Sequence, residues 1–567
     1  PKKDAYKKMK KYKAIFYILI SIAWVSTPTW AQSKKDFETS KSIDIFVTLL
    51  KELNRQYVDT VNLAQLTEDG INAMLDKLDP YTVYIPESEI DDYKFMTTGE
   101  YGGIGALIVK KEDGVYISEP YEGMPAYKAG LKAGDKFLKV NDIDVNKKNV
   151  QDVTNILKGT PGTSMTVMMQ RYGEANPLNI KVTREKVVIN PVIYSGIIGN
   201  SAIGYIKLTT FTQNAADDVK KAFVKLKKQA ALKGLILDLR DNGGGLLNEA
   251  VDIVNLFVKK SELVVSTKGK LSEKNRNYKT TNEPVDLNIP LAVLVNGSSA
   301  SASEIVAGAL QDLDRAVVIG RRTFGKGLVQ NIIPLNYNTQ VKMTIAKYYT
   351  PSGRCIQAID YTHKDKNNNP DVIPDSLIKQ YQTVNGRLVS DGKGIQPDML
   401  SDTVRTSPII YNLVLKHMIF DYATKYAWEH KSIAPADQFS ISSADFQDFV
   451  KFTEDKKFDY KTKSELALLQ VKKAVEADKT WDEIKPEFEL IEKSIKENKK
   501  KDFLKNKTEI TDILNEEIAS RYYYQKGRVL SYLQKDDDIK RAIDVLINQS
   551  YYTSILNGTA NTLIKKK

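Results

Sequence analysis

The residues best suited to chemistry lie between Leu291 and Gln330. Ser301 stands where a short apolar run, typical of a buried strand, gives way to a helical pattern, and Ser301 and Glu304 have the spacing of a capping box. The N-terminus of a helix offers free backbone N–H groups and a partial positive charge. An anionic tetrahedral intermediate beside this serine would be stabilised by them, so a nucleophilic hydroxyl here would suit acyl transfer.

The same residues also have simpler interpretations. Ser301 could be a helix cap alone, and the glycine-flanked Lys326 could be a solvated turn lysine. Residues 320–327 also come close to the phosphate-binding loop G-x-x-x-x-G-K-[ST]. That match fails at Gly327, where the magnesium-binding hydroxyl should stand, and the following residues indicate a strand rather than the helix that a phosphate loop opens.

Four sequence blocks together are more specific than any one of them: GSSASASEIVAGALQD, GRRTFGKGLVQ, TIAKYYTPSGRCIQ and GIQPD. In order and spacing they resemble the carboxyl-terminal processing peptidases, also called tail-specific proteases, from about residue 40 to about residue 400. The resemblance implies that Ser301 is the nucleophile, Lys326 its general base and Gln330 the residue that orients the lysine. A lysine base must be uncharged, so this role requires desolvated surroundings for its amine.

Strands, glycine turns and helices alternate around the serine block, which predicts an α/β core. The apolar residues 234–239 are typical of a strand covered on both faces, and they lead through residues 243–245, all glycine, into a helix. In the resembled family the fold is crotonase-like, as in the Clp proteases, and backbone N–H groups of Gly244 and Ala302 would form the oxyanion hole. The adjacent glycines leave that assignment open by one position, and by themselves they also fit a turn without chemistry.

A second unit precedes this core. YGGIG at residues 101–105 and the later block AGLKAGDKFLKVN resemble a PDZ domain over about residues 99–185. Small residues let consecutive N–H groups converge on a carboxylate, and a neighbouring strand edge can add an extended peptide. The pentapeptide alone would also fit a plain glycine-rich hairpin. The residues expected to bind a peptide carboxylate are Gly102, Gly103, Ile104 and Gly105.

Composition argues against several other classes. The chain has 567 residues, of which 42% are hydrophobic, enough for several domains. Half of the net charge of +12 lies in residues 1–31, and no aromatic-basic stripe indicates a nucleic-acid partner. The chain has three histidines, all outside the core blocks, which disfavours a Ser-His-Asp triad. No paired His/Cys spacing indicates a metal, so neither metal nor other cofactor is expected.

Residues 1–31 predict an export signal. A lysine-rich start is followed by an apolar stretch at residues 14–25 and by small residues before Gln32, where cleavage is expected. An uncleaved anchor is the alternative. Either would place the enzyme outside the cytoplasm, in the periplasm or associated with the cell envelope. The single cysteine, Cys355, excludes a disulfide within the chain.

The predicted protein is a multidomain α/β serine endopeptidase with a Ser-Lys(-Gln) centre. It would recognise protein or peptide tails through its PDZ-like domain and cleave them through an acyl-enzyme. The alternative is a catalytically silent PDZ scaffold or chaperone of the cell envelope. Partners other than substrates would be a second copy of the chain or an adaptor protein. The predicted segments are a signal peptide (1–31), a helical amino-terminal domain (32–98), an inserted PDZ-like domain (99–185), a crotonase/Clp-protease-like core (186–404) and a helical carboxyl-terminal domain (405–567).

Overall fold

The computed structural model describes residues 29–365, 369–402 and 407–560, so most of the predicted signal peptide lies outside the described residues. The chain divides into two units, one ending at Tyr84 and one beginning at Ile85. Within the described ranges, no helix has both the length and the apolarity needed to cross a membrane.

The described part of the first unit, residues 29–84, is mainly helical, in agreement with the predicted fold class. The Asp-Pro-Tyr-Thr sequence after its second helix forms a turn in which the Asp79 carboxylate accepts the N–H groups of Tyr81 and Thr82, each at 2.9 Å. The elements up to the start of the PDZ-like region are α1 (Thr29–Gln56), α2 (Leu63–Leu75), β1 (Val83–Ile85) and α3 (Ile90–Thr98).

The PDZ-like region is a small β domain around its own core, in which Val115, Phe137 and Met169 are fully buried. Its elements are β2 (Glu100–Gly103), β3 (Ala106–Lys111), β4 (Gly114–Pro120), α4 (Pro125–Lys128), β5 (Lys136–Val140), β6 (Ile143–Asp144), α5 (Val150–Leu157), β7 (Ser164–Gln170), β8 (Leu178–Thr183) and β9 (Glu185–Val188). The main sheet has the order β3-β4-β5-β7-β8 with β6 beside β5, and β2 pairs with β9. All of these pairs are antiparallel.

The core is built on a six-stranded sheet. Its elements and those of the attached segments are β10 (Val192–Ile197), β11 (Ile203–Leu208), α6 (Ala215–Gln229), β12 (Gly234–Asp238), α7 (Leu247–Asn255), β13 (Leu263–Gly269), β14 (Arg276–Lys279), β15 (Leu291–Val295), α8 (Ala302–Asp312), β16 (Val317–Gly320), β17 (Leu328–Pro334), β18 (Gln340–Tyr349), β19 (Ile359–Lys364), β20 (Pro370–Val372), β21 (Gln380–Gln382), β22 (Leu388–Ser390) and β23 (Met399–Leu400). The order is β10-β11-β12-β15-β16-β23, and every neighbouring pair except β10 and β11 is parallel. Every residue of β12 and β15 is buried, as in a strand covered on both faces.

The strands β13, β14, β17 and β18 belong to a second sheet. β17 and β18 form a long antiparallel hairpin, and β18 also pairs with β13, which pairs with β14. This hairpin follows directly after Lys326 and contains Gln330. Within the polar stretch at residues 360–394, the described residues form two small antiparallel strand pairs, β19-β20 and β21-β22.

Helices cover both faces of the six-stranded sheet, but they come from different parts of the chain. One face packs against α6, α7 and α8. The other is covered by the end of the chain, where Val545, Leu546 and Ile555 pack with Ile236 and Leu294. The carboxyl-terminal helices are α9 (Pro408–Leu415), α10 (Met418–Glu429), α11 (Ser443–Asp455), α12 (Lys463–Ala477), α13 (Trp481–Lys500), α14 (Asp502–Lys505), α15 (Lys507–Leu533), α16 (Asp537–Ile547) and α17 (Gln549–Leu556).

The carboxyl-terminal region is helical, and its helices contribute to two hydrophobic cores. Helices α9, α10 and α11 and the first half of α15 share a core of their own. Helix α15 kinks at Tyr524, whose φ is 54° and ψ −152°, and the part after the kink belongs to the core of the six-stranded sheet. The helices after residue 404 thus include some that cover the six-stranded sheet, because an apolar sheet needs a cover on both faces.

Helix α15 also contains a carboxylate whose ionisation should affect stability. Burial, together with the neighbouring Asp512 and Glu517, raises the pKa of Glu516 to about 7 against the opposing effect of Arg528. The folded chain then binds this proton more tightly than the unfolded chain, so ionisation of Glu516 costs stability as pH rises from about 4.5 to about 7.

We expect Glu516→Gln to raise the thermal midpoint at pH 8, where the parent carries the charge, and to leave it nearly unchanged at pH 4, where both are neutral. The free energy of unfolding at pH 8 should increase by about 1–2 kcal/mol. This is less than the full pKa shift would give, because Glu516 is partly exposed. Calorimetry at the two pH values measures it. Glu497→Gln, on the exposed side of α13, is the matched control and should show no such difference. An equal effect at both pH values would contradict the assignment.

Candidate active site

A cavity of about 450 Å³ is lined by residues of the turns that follow β12 and β15 and of the β17-β18 hairpin. The structure brings four predicted site residues to it: Ser301, Lys326, Gln330 and Gly244. The three histidines of the chain are all among the described residues, and none of them lines this cavity. His363 lies in β19, His417 directly before α10 and His430 directly after it.

Only one serine of the SASAS run lines this cavity. The Ser299 hydroxyl donates to the carbonyl of Leu239 at 2.8 Å, and the Ser303 hydroxyl donates to the carbonyl of Asn242 at 2.8 Å. Both of these serines are fully buried, whereas Ser301 is partly exposed in the cavity. Ser299 and Ser303 therefore hold the serine turn (residues 296–301) against the glycine turn (residues 239–246). Ser301 lines the space where a substrate would bind.

Ser301 has a strained backbone. Its φ of 55° and ψ of −113° lie outside the regions that residues with a side chain ordinarily adopt, and α8 begins at the next residue. Such a conformation costs about 1–3 kcal/mol and persists only where surrounding contacts hold it. The sequence predicted a helix cap here, but it contained no sign of this strain.

Glu304 supplies one set of those contacts. Its carboxylate is fully buried and accepts the N–H of Ser301 at 2.8 Å. It also accepts three bonds from the lysine loop (residues 321–327): the N–H of Gly325 at 2.7 Å, the N–H of Lys326 at 2.9 Å and the Thr323 hydroxyl at 2.6 Å. Burial raises the pKa of Glu304, and these four hydrogen bonds oppose that rise. The capping-box spacing identified only the bond to Ser301; the bonds to the lysine loop link the backbones of the two catalytic candidates.

Tyr348 makes a second link between the same two residues. Its hydroxyl donates to the carbonyl of Lys326 and lies 3.2 Å from the carbonyl oxygen of Ser301. The side chain belongs to β18 and is 1% exposed. Sequence reasoning missed this residue although it stands within TIAKYYTPSGRCIQ, because nothing local distinguishes it from the tyrosine beside it.

The glycines on either side of Lys326 allow the chain to pack closely. A Cβ at Gly325 would overlap the Cβ of Ala358, and a Cβ at Gly327 would lie 2.8 Å from the backbone nitrogen of Gln357. The Gln357 side chain accepts the Gly327 N–H at 2.7 Å. These residues lead into β17, a strand, so the arrangement is not that of a phosphate-binding loop.

Gln330 lies on β17 opposite Thr344, directly after a bulge in the β17-β18 pairing. Its amide nitrogen donates to the Thr344 hydroxyl at 3.1 Å, which leaves the amide oxygen as the acceptor. Lys342, which sequence reasoning did not identify, lines the same cavity, and burial lowers the pKa of its amine. The cavity therefore contains two amines, and an experiment must distinguish them.

The glycine turn packs directly on the serine turn. Gly244 has a φ of +102°, and a Cβ there would lie 2.8 Å from the Cβ of Ser301 and 2.9 Å from the nitrogen of Ala302. The N–H of Gly244 donates to Oδ1 of Asn242 at 2.9 Å, so the predicted oxyanion donor is already engaged in this conformation. The N–H of Ala302, in the first turn of α8, has no acceptor within the helix.

Buried charges anchor this glycine turn to the end of the chain. The Asp238 carboxylate, at the end of β12, receives the Tyr205 hydroxyl at 2.7 Å, the Lys207 amine at 3.2 Å and the Arg240 guanidinium. Burial would raise the pKa of Asp238, but Arg240 and Lys207 hold it well below its usual range. Arg240 also pairs with Asp536 at 2.6 Å, just before α16, so the carboxyl-terminal helices support the turn that leads to Gly244.

The residues predicted to bind a peptide carboxylate form the end of β2 and the turn into β3. The carbonyl of Gly102 accepts the N–H of Gly159 at 3.1 Å, and the carbonyl of Gly105 accepts the N–H of Tyr121 at 3.0 Å. Gly105 has a φ of +68°, and a Cβ there would lie 2.5 Å from the Met124 side chain. The turn is therefore held from both sides by the rest of the domain.

Three protein-family models match the chain. Residues 202–366 match peptidase family S41, residues 116–171 match a PDZ domain, and residues 409–546 match the carboxyl-terminal helical domain of probable PDZ-proteases. The first match lies within the predicted core (186–404), and the second lies within the predicted recognition domain (99–185). The third agrees with the helical region beyond the core.

Individual relatives agree with these families. The carboxy-terminal-processing protease of Bartonella bacilliformis is 35% identical over 374 residues, which are 65% of this chain and 84% of the relative. The carboxy-terminal processing protease CtpB of Bacillus subtilis is 29% identical over 394 residues, 69% of this chain and 78% of the relative. The solved photosystem II D1 C-terminal processing protease is 31% identical and covers 58% of this chain and 91% of its own, with a TM-score of 0.34.

Proposed function

The chain belongs to the carboxy-terminal-processing proteases of peptidase family S41, and from this premise we propose that Ser301, Lys326 and Gln330 are its catalytic residues. The predicted fold class, an α/β core with a PDZ domain and a helical carboxyl-terminal region, is confirmed. The observation that supports the catalytic assignment is that all three residues line one cavity, and that Ser301 is the partly exposed serine of its run.

The proposed reaction proceeds through an acyl-enzyme. The Oγ of Ser301 attacks the scissile carbonyl carbon while its proton passes to the neutral amine of Lys326. The resulting oxyanion lies near the N–H of Ala302 and the helix N-terminus behind it. The lysine then returns the proton to the leaving amine, the peptide C–N bond breaks, and a water molecule activated by the same amine hydrolyses the ester.

Glu304 and Tyr348 would act as positioning residues. Glu304 binds backbone N–H groups of both Ser301 and Lys326, and Tyr348 lies against backbone carbonyls of the same two residues. These contacts are made by backbone groups of Ser301 and Lys326, not by the serine hydroxyl or the lysine amine. Their effect is to hold nucleophile and base in a fixed relation, which the transition state requires.

The silent scaffold is the competing interpretation, and a fluorophosphonate probe distinguishes the two. The probe should label the full-length protein, and peptide mapping should find the label on Ser301. Ser301→Ala should abolish labelling. A fully folded protein that takes up no label would favour the scaffold.

Substrate recognition would begin in the PDZ domain, which binds the free carboxyl end of a protein tail. The turn at residues 102–105 offers backbone N–H groups, and one charge-assisted hydrogen bond to them is worth about 1.5–3 kcal/mol. We therefore expect a peptide with an amidated end to bind roughly ten- to a hundred-fold more weakly than the same peptide with a free end. Fluorescence anisotropy with full-length Ser301→Ala protein measures both affinities without cleavage.

The matched control is acetylation of the opposite end of the same peptide, which should leave the affinity unchanged. Equal affinities for the free and amidated ends would remove the tail-specific part of the proposal and leave the protease part intact.

Export remains part of the proposal. The basic and apolar pattern of residues 1–31 supports a cleaved signal and a periplasmic or envelope location, and amino-terminal sequencing of the mature protein should begin at Gln32.

A further inference from the structure

The catalytic cavity contains one charged side chain that the proposed reaction does not use. Lys342, on β18, lines the same space as Ser301, Lys326 and Gln330. None of the residues that line this cavity is an aspartate or a glutamate, and apart from the two lysines all of them are uncharged. A substrate that enters the cavity therefore meets positive charge and no negative charge from its walls.

The strand register places Lys342 close to the catalytic residues. Gln330 of β17 is opposite Thr344 and Ile332 is opposite Lys342, with no irregularity between the two pairs. Residues two apart on a strand project from the same face, so Lys342 lies on the face where Gln330 donates to Thr344. Diagonal neighbours such as Gln330 and Lys342 are about 7–8 Å apart, roughly the span of two residues of extended peptide.

The amine of Lys342 lacks the partner that three other partly buried lysines have. Lys207, Lys425 and Lys499 each have the amine 2.8–3.2 Å from a carboxylate oxygen. Among the residues that the structure describes, the amine of Lys342 makes no ion pair and no hydrogen bond. Burial lowers the pKa of Lys342, because its ammonium form loses water and gains no counter-charge.

A carboxylate is the group that would complete this arrangement. It would supply the missing counter-charge and a charge-assisted hydrogen bond, and both favour the ammonium form of the lysine. A protein tail offers a carboxylate from two sources. One is the side chain of an aspartate or a glutamate, and the other is the free carboxyl end when the cleaved bond lies close to it.

We propose that Lys342 is a specificity-determining residue, which binds a substrate carboxylate within about three residues of the cleaved bond. The inference rests on the proposed function, because it requires cleavage at Ser301. Lys326 remains the base, and Lys342 takes no part in proton transfer. Tails with an acidic side chain near the cleaved bond are then better substrates than tails with the corresponding amide.

Matched peptides test the proposal in the full-length protein. One set carries glutamate or glutamine at each of three positions on either side of the cleaved bond, with an identical distant carboxyl end. A second set ends two residues after the cleaved bond, with a free or an amidated end. In the parent, kcat/KM should be about ten-fold higher for the carboxylate member of at least one pair.

In Lys342→Met, this ratio of kcat/KM values should fall towards one. Amidation also affects the PDZ domain, so only the part of a ratio that Lys342→Met removes belongs to this lysine. The pair that loses its ratio identifies the source of the carboxylate. Because each ratio compares two peptides on the same protein, a loss of folded protein in the variant does not change it.

Two further variants make the test specific. Lys347→Met is the matched control, since Lys347 lies on the same strand but is exposed and does not line the cavity. It should keep the ratio of the parent. Lys342→Glu should reverse the preference, so that a peptide with lysine at the selected position is cleaved faster than its glutamine counterpart. A lysine with a merely structural role would not produce this reversal.

A ratio near one for every pair in the parent, or a ratio that Lys342→Met leaves unchanged, would overturn the proposal. Failure of the proposed function looks different. No peptide would then be cleaved and the fluorophosphonate probe would not label Ser301, which would remove this inference as well. Cleavage that requires Ser301 but shows no preference dependent on Lys342 would refute the role of Lys342 alone.

Discussion

Replacing Lys326 by methionine should reduce peptide cleavage by at least about a thousand-fold in a protein that remains folded. Loss of a general base typically costs two to four orders of magnitude, and Ser301 has a proton to lose before it can attack. Lys326→Arg should be equally inactive because a guanidinium stays charged at every accessible pH. Steady-state cleavage of a tail-bearing protein, with the melting temperature as the folding check, provides the measurement.

A second lysine in the same cavity provides the control for this experiment. Lys342→Met removes the second amine that lines the same space and should keep most of the activity on a tail without acidic side chains near the cleaved bond. The reverse result, with Lys342→Met inactive and Lys326→Met active, would move the base to Lys342. In the parent, cleavage should rise with pH as one amine deprotonates. Gln330→Glu should shift that rise to higher pH, since a carboxylate stabilises the ammonium form.

Replacing Ser301 by alanine should lower cleavage by about four orders of magnitude or more, because no acyl-enzyme can then form. Ser299→Ala and Ser303→Ala are matched controls within the same five residues. Each loses a buried hydrogen bond, to Leu239 or to Asn242, and should be destabilised by about 1–3 kcal/mol.

Both control variants should nevertheless retain measurable turnover at a temperature where they are folded. Thermal midpoints and cleavage rates of the three variants, measured side by side, separate loss of chemistry from loss of stability. Activity in Ser301→Ala, or a stable but inactive Ser303→Ala, would mean that the nucleophile has been misassigned.

The residues proposed to perform the chemistry could be selected from the sequence because their neighbours form part of each pattern. Ser301 is preceded by a strand and followed by a helix, Lys326 lies between two glycines, and Gln330 lies within an extended stretch. These are local patterns, set by backbone propensity over a few residues. The family resemblance extended them into an ordered set. The α/β character of the core was equally local, since β12 and β15 are continuous apolar runs.

Tertiary structure decided which atoms are engaged. The capping-box spacing revealed one bond of Glu304, but its bonds to Gly325 and Lys326 exist only because the lysine loop returns to the start of α8. The predicted oxyanion donor Gly244 proved to be bonded to Asn242, which a run of three glycines could not indicate. Nor could the sequence separate Ser301 from its neighbours by burial.

Local sequence patterns also could not predict the role of the last helices of the chain. Helices α16 and α17 look like other charged amphipathic helices, yet they cover one face of the six-stranded sheet, and Asp536 pairs with Arg240 ahead of the glycine turn. Hydrogen-bond partners and burial depend on which distant segments meet, and periodicity within one segment contains no information about its partner.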